Sequence, residues 1–184
     1  MSGGDESDKN DKQPVAAQSS PVSQDAPQAP VDPAEPQAKE LDKVLADSND
    51  SRAAVIGAVE KIKSCRELDQ AVADLKGAAQ QRRTLVTRLE GLTLDQLPDH
   101  AALTTSLTKA WQASAEADDH YAAWAAQAKN NKTVCKGGKA RSTKETGRAN
   151  KSSGEASTFK SQASGIWNPI AEKYALTKRA PTQL

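Results

Sequence analysis

The amino-acid sequence predicts an all-α fold: an antiparallel up-down-up-down four-helix bundle behind a disordered N-terminal tail. Three observations carry that expectation. From residue 41 onward the apolar residues recur at steps of three and four, with no sustained alternation of period two. The stretches between these stripes are short and polar, as antiparallel neighbours require. Residues 1–40, by contrast, hold six of the nine prolines and no Leu, Ile, Phe, Tyr or Trp.

That opening stretch is otherwise Ser, Gln, Asp, Ala and Gly, and it carries eight acids against three bases. Such a composition buries too little apolar surface to offset its ordering entropy, so residues 1–40 read as a disordered, acidic linker. Residues 41–184 suffice for one small domain with one core.

Within that domain the first helix carries Leu41, Leu45, Val55, Val59 and Ile62 on one stripe. The polar run "DSNDS", Asp47 to Ser51, leaves two options. The spacing favours one long helix; a restart capped at Asn49–Ser51 is the alternative. The second helix is "ELDQAVADLKGAAQQRRTLVTRLEGL". Leu68, Val72, Leu75, Ala79, Arg82, Val86 and Leu89 line one face of it, and Gly91 supplies the stop.

Pro98 opens the third helix, with Asp99 in its first turn. Leu103, Leu107, Ala110, Ser114, Ala117, Tyr121, Trp124 and Ala128 form its stripe, which ends near Asn130. The fourth stripe, Ala149, Ser153, Ala156, Phe159, Ala163, Ile166, Ile170 and Tyr174, is weaker. Gly147, Gly154 and Gly165 each cost about 1 kcal/mol relative to Ala in a helix interior. Their small size is expected to let this helix pack closely on its neighbours. Pro169 is expected to kink or restart it.

The chain has two cysteines. Cys65 falls where the first helix gives way to the second, and Cys135 where the third gives way to the fourth. An up-down-up-down bundle places both junctions at one pole, so a Cys65–Cys135 disulfide is expected. Closing that loop is worth about 4 kcal/mol on the chain-entropy model. Disulfides persist in oxidising compartments, which places the protein outside the cytoplasm.

These residues also carry a resemblance. "LDKVLADSNDSRAAVIGAVEKIKSC", "QQRRTLVTRLEGLTLDQLP", "LTKAWQASAEADDHYAAWA" and "IWNPIAEKYALTKRAPTQL" resemble a set of uncharacterised small helical domains of high-GC Gram-positive bacteria. Those domains usually follow a transmembrane or signal segment and a proline-rich linker. The resemblance covers roughly residues 41–184 and implies an envelope location without implying an activity. No apolar run here approaches the roughly 18 residues of a membrane span, and no signal-like apolar segment follows Met1. The opening "SGGDESDKNDKQ" is instead the acidic spacer expected after a removed signal or an anchor, with Met1 as an expression start. Membrane contact is thus expected only through an anchor absent from this chain.

Catalytic, cofactor-binding and metal sites are not expected. His100 and His120 are the two imidazoles, and in "DDHYAAW" the adjacent Asp119 and His120 point in different helical directions. A zinc site needs three or four ligands, and no second cluster is in view. "CKGGKA" lacks both the spacing and the preceding strand of a phosphate loop. Trp111 and Trp167 are expected to fall at the pole opposite the cysteines, as a packing pair or an aromatic contact cluster.

Net charge is +1, but residues 132–184 carry eleven bases against three acids. The expected function is therefore a non-enzymatic envelope module, monomeric, meeting a protein or an anionic envelope component. The alternative is a cytoplasmic helical nucleic-acid binder using the basic C-terminal third, although no helix-turn-helix pattern stands out. A wall hydrolase would need paired acids on a cleft, which nothing in the sequence positions.

Overall fold

The computed structural model describes residues 32–184. Most of the expected disordered tail, residues 1–31, lies outside the described residues. The compact unit runs Pro33–Leu184 and is mostly helical. Its elements are α1 (Ala34–Asp47), α2 (Arg52–Lys63), α3 (Leu68–Glu90), α4 (His100–Asn130) and α5 (Lys144–Lys173). A small hairpin, β1 (Cys135–Lys136) with β2 (Lys139–Ala140), joins α4 to α5, and a 3-10 turn, Pro181–Gln183, precedes the last residue.

The domain starts earlier than composition indicates. Ala34 and Ala38 are buried in the core although they fall within the expected linker. The prolines are the reason for the misreading. Pro33 occupies the N-cap of α1 and Pro36 its first turn, where a missing backbone donor costs nothing.

The expected long first helix is two helices. Residues 48–51 form turns, and long-range side chains hold the break open. Ser48, fully buried, donates to the Leu45 carbonyl at 2.6 Å. The Gln81 amide donates to the Asp47 carbonyl at 2.8 Å, and the Ser51 hydroxyl donates to the Gln81 side-chain oxygen at 3.1 Å. Ser51 thus stands at the N-cap of α2 without capping it, its hydroxyl being spent on α3.

α3 runs from Leu68 to Glu90 with Gly91 at its C-cap, and its stripe turns inward, Leu68 and Val72 only partly. Gly91 has φ −82°, so its role as a stop does not depend on left-handed geometry. α4 begins at His100, with Asp99 outside it at φ 54° and Pro98 one residue further back. The segment expected as a loop after α4 pairs Cys135 with Ala140 and Lys136 with Lys139. Gly137 and Gly138, at φ 59° and 75°, supply the two positive-φ residues that a tight hairpin needs.

α5 starts on a reciprocal cap. The Glu145 amide donates to the Thr143 hydroxyl at 3.1 Å, and the Thr143 amide to the Thr146 hydroxyl at 3.0 Å. The helix then continues through Pro169, so the expected restart does not occur. Pro169 is exposed, one turn beyond Gly165, and the two residues border a cavity of about 320 Å³. Nor do the glycines serve close packing. A Cβ placed on Gly147, Gly154 or Gly165 meets nothing within 4 Å among the described residues. Phe159, expected in the core, is half-buried with the Lys109 ammonium 5.5 Å from its ring centre.

α5 ends in a Schellman motif: Leu176 N–H reaches the Ala171 carbonyl at 2.7 Å, with Ala175 at φ 56°. The chain beyond it is fastened back onto the helix. Ser164 donates to the Arg179 carbonyl at 2.6 Å, and Asn168 accepts from the Arg179 amide at 2.7 Å. Leu184, 2% exposed, ends in the core.

α4 packs along both α3 and α5, and α2 rests mainly on α3. The interior is divided into two apolar clusters. One gathers α1, the C-terminal half of α3, the start of α4 and the end of α5 around Trp111 and Trp167. The other gathers α2, the start of α3, the end of α4 and Val134 around Trp124. Between them the helices carry mostly small or polar buried side chains, among them Ala113, Ser114, Ala117, Ala149, Ser152 and Ala156. This waist is where the candidate site lies.

Candidate functional site

Small side chains at a waist cannot fill the space between 10 Å-wide helices, and interiors are otherwise packed to crystal-like density. The shortfall here is a cleft of about 530 Å³ walled by α2, α4 and α5, with Arg82 of α3 reaching it and Pro181 and Thr182 at its rim. The break at residues 48–51 sets the start of α2, which supplies the apolar wall: Val55 and Val59 half-buried, and Ile56 52% exposed.

The polar half of the cleft centres on a buried ion pair. Arg82 Nε donates to Asp118 Oδ2 at 2.8 Å, and the two side chains are 6% and 4% exposed. Burial pushes the Asp118 carboxyl upward, against the downward pull of Arg82. Lys160, half-buried on the α5 wall, faces the same cavity. Burial, then repulsion from Arg82 and Arg52, lowers its amine to about 8, and Asp118 offsets this only in part. Tyr121 lines the wall too, its phenol raised by burial and its hydroxyl donating to Asn150 Oδ1 at 2.8 Å.

Counter-ions are unevenly supplied. Arg82 has Asp118, and Lys63 has Glu60 at 3.2 Å. Arg52 and Lys160 have no carboxylate within ion-pair distance among the described residues. Two uncompensated cations, an apolar wall and the hydroxyls of Ser153, Ser157 and Ser161 therefore face one cavity. Its volume falls within the few hundred to a thousand Å³ of small-molecule sites.

Sequence reasoning did not find this cleft. The signal was Arg82, a charged residue at a core position of an otherwise apolar stripe. Its partner, Asp118, was hidden in an acidic run that reads as solvated surface. Asp119, the next residue in that run, does pair at the surface, with Arg83.

Cys65 and Cys135 are joined, with sulfurs 2.06 Å and Cα atoms 6.0 Å apart. Cys65 occupies the left-handed position after α2, at φ 53°, and Cys135 opens the hairpin. Trp111 and Trp167 lie in the same apolar cluster, both fully buried, so they are interior packing and offer no surface to a partner. Trp167 Nε1 donates to the Thr177 carbonyl at 2.9 Å, whereas Trp111 Nε1 has no hydrogen-bond partner among the described residues.

His120 Nδ1 lies 3.1 Å from Glu145 Oε1, and Arg148 approaches the same carboxylate at 3.2 Å. Burial opposes ionisation of Glu145, but His120 and Arg148 together hold it below its ordinary range. No group of three or more His, Cys, Asp or Glu side chains among the described residues could hold a metal ion. No helix there is long and apolar enough to cross a membrane.

No family model, curated protein or solved structure matches this chain.

Proposed function

We propose that this chain is a non-enzymatic module of the cell envelope, working outside the cytoplasm and held by a tether N-terminal to Pro33. Its helices are read as an antiparallel up-down-up-down bundle in which α1 and α2 together make the first rod. The short α4–α5 hairpin and the packing of α4 on both α3 and α5 support that topology. The resemblance to helical envelope domains of high-GC Gram-positive bacteria belongs to the same proposal.

The observation that carries it is the Cys65–Cys135 bridge, because structural disulfides persist where the surroundings are oxidising. Its partner is a protein or an anionic envelope component. The nucleic-acid alternative draws less support. Arg148, Lys151, Lys178 and Arg179 of the basic C-terminal third are paired with Glu145, Glu155, Glu172 and Asp42.

The test is mass spectrometry of the protein isolated from its native host under thiol-trapping conditions. The proposal expects Cys65 and Cys135 linked and the protein recovered in the envelope or medium. Both thiols free and alkylated would overturn it.

A further inference from the structure

We propose that the waist cleft binds a small anionic amphiphile, its phosphate or carboxylate head between Arg52 and Lys160 and its apolar body along Val55, Ile56 and Val59. The inference goes beyond the envelope assignment and does not depend on the compartment.

The head-group end rests on charge that the fold leaves uncompensated. Arg82 and Asp118 neutralise one another at 2.8 Å, and Lys63 and Glu60 do the same at 3.2 Å. What remains is Arg52, exposed in the first turn of α2, and half-buried Lys160 of α5, both lining the cavity with no carboxylate within ion-pair distance among the described residues, Asp118 acting on Lys160 only from further off. Cations converging in a partly desolvated cleft repel one another, and an anion between them relieves the repulsion. The lowered amine of Lys160 reports that repulsion, since Arg82 and Arg52 are among its causes after burial. Serine hydroxyls on α5, Ser157 and Ser161, stand ready to donate to the same oxygens.

The tail end rests on α2. Ile56 is the large hydrophobic side chain most at odds with its surroundings, 52% exposed at the cleft while Val55 and Val59 flank it half-buried. An inorganic anion would leave that wall wet, and an uncharged apolar molecule would leave the cations unpaired. A ligand with both parts satisfies the two halves of the cleft, which is why the amphiphile is favoured over either fragment.

The experiment uses the full chain with its disulfide intact and follows binding by isothermal titration calorimetry at pH 7. The probes are decanoate, decyl phosphate, inorganic phosphate and decanol, all below their aggregation limits. Decanoate and decyl phosphate should bind one per chain, and inorganic phosphate and decanol about tenfold more weakly or not at all. Lys160→Met and Arg52→Gln should each weaken both decyl anions about tenfold or more, and Ile56→Glu should weaken them similarly. Lys160→Met removes a half-buried charge that the cleft disfavours, so the variant is expected to fold. At pH 8.5, binding should take up protons, read as a dependence of the heat on buffer ionisation enthalpy, and Lys160→Met should abolish that uptake. The ratio of decanoate to decyl phosphate affinity assigns the head as carboxylate or phosphate. Absence of binding by both decyl anions at millimolar concentration would overturn the proposal. So would affinities unmoved by Lys160→Met and Arg52→Gln together, or inorganic phosphate binding as tightly as decyl phosphate.

Discussion

Arg82 of α3 and Asp118 of α4 meet at 2.8 Å between the two apolar clusters, with 6% and 4% of their side chains exposed. Breaking a buried pair from one side leaves a charge with no compensation, which typically costs about 3–5 kcal/mol. Arg82→Met or Asp118→Leu alone should destabilise the domain by about that much. The double variant should recover most of the loss, because apolar side chains of similar volume can replace a buried pair. Urea denaturation of the four proteins closes the cycle; equal and additive losses would show that the two residues are not coupled.

Lys160 is expected to give the fold a pH dependence of one sign. Its amine is lowered to about 8 in the folded protein from an ordinary value of 10.5, so between those values the unfolded chain binds the additional proton. Stability from this group therefore rises with pH from about 8 to about 10.5, and the charged amine is a cost below 8. Lys160→Met should stabilise the protein at pH 7 by about 1–2 kcal/mol, allowing for partial exposure, and should flatten that segment of the profile. Thermal melts of both proteins at pH 7, 9 and 10.5 check the sign.

Gly147 and Gly154 lie inside α5 with open space where a Cβ would stand. Gly147→Ala and Gly154→Ala should each stabilise the domain by about 0.5–1 kcal/mol, through backbone entropy alone. Destabilisation by either, measured by chemical denaturation, would show that close packing does depend on these positions.

The N-terminal boundary can be located by truncation. Deleting residues 1–31 should leave the melting temperature almost unchanged. Deleting residues 1–38 should lower it by several degrees, since Ala34 and Ala38, 6% and 0% exposed, are lost from the core.

Cys135→Ser should cost about 2–5 kcal/mol, and reduction of the native protein should do the same. The effect should be uneven. The bridge fastens the hairpin that leads into α5, a helix carrying three glycines and Pro169. Amide exchange in residues 144–165 should accelerate on reduction more than in residues 68–89. Uniform acceleration would indicate that the domain opens only as a whole.

The sequence by itself determined the helical class, the extents of α3 and α4 to within a residue or two, and the pairing of its two thiols. The helical class and the helix extents follow from local periodicity and need no knowledge of neighbours; the thiol pairing follows from counting cysteines against helix junctions once a bundle topology is assumed. Tertiary structure decided the rest. The break after Asp47 depends on Gln81, 34 positions away, satisfying the Asp47 carbonyl. Composition assigned Pro33 and Pro36 to a linker, yet α1 starts there because Ala34 and Ala38 find a core to enter. Pro169 stays within α5, whose neighbouring Asn168 and Ser164 hold the returning chain at Arg179. The cleft was the least legible feature. A charge on an apolar stripe signals a buried partner without naming it, and the space beside Arg82 and Asp118 exists because α4 and α5 present small side chains, Ser114, Ala117, Ser153 and Ala156, at the same level.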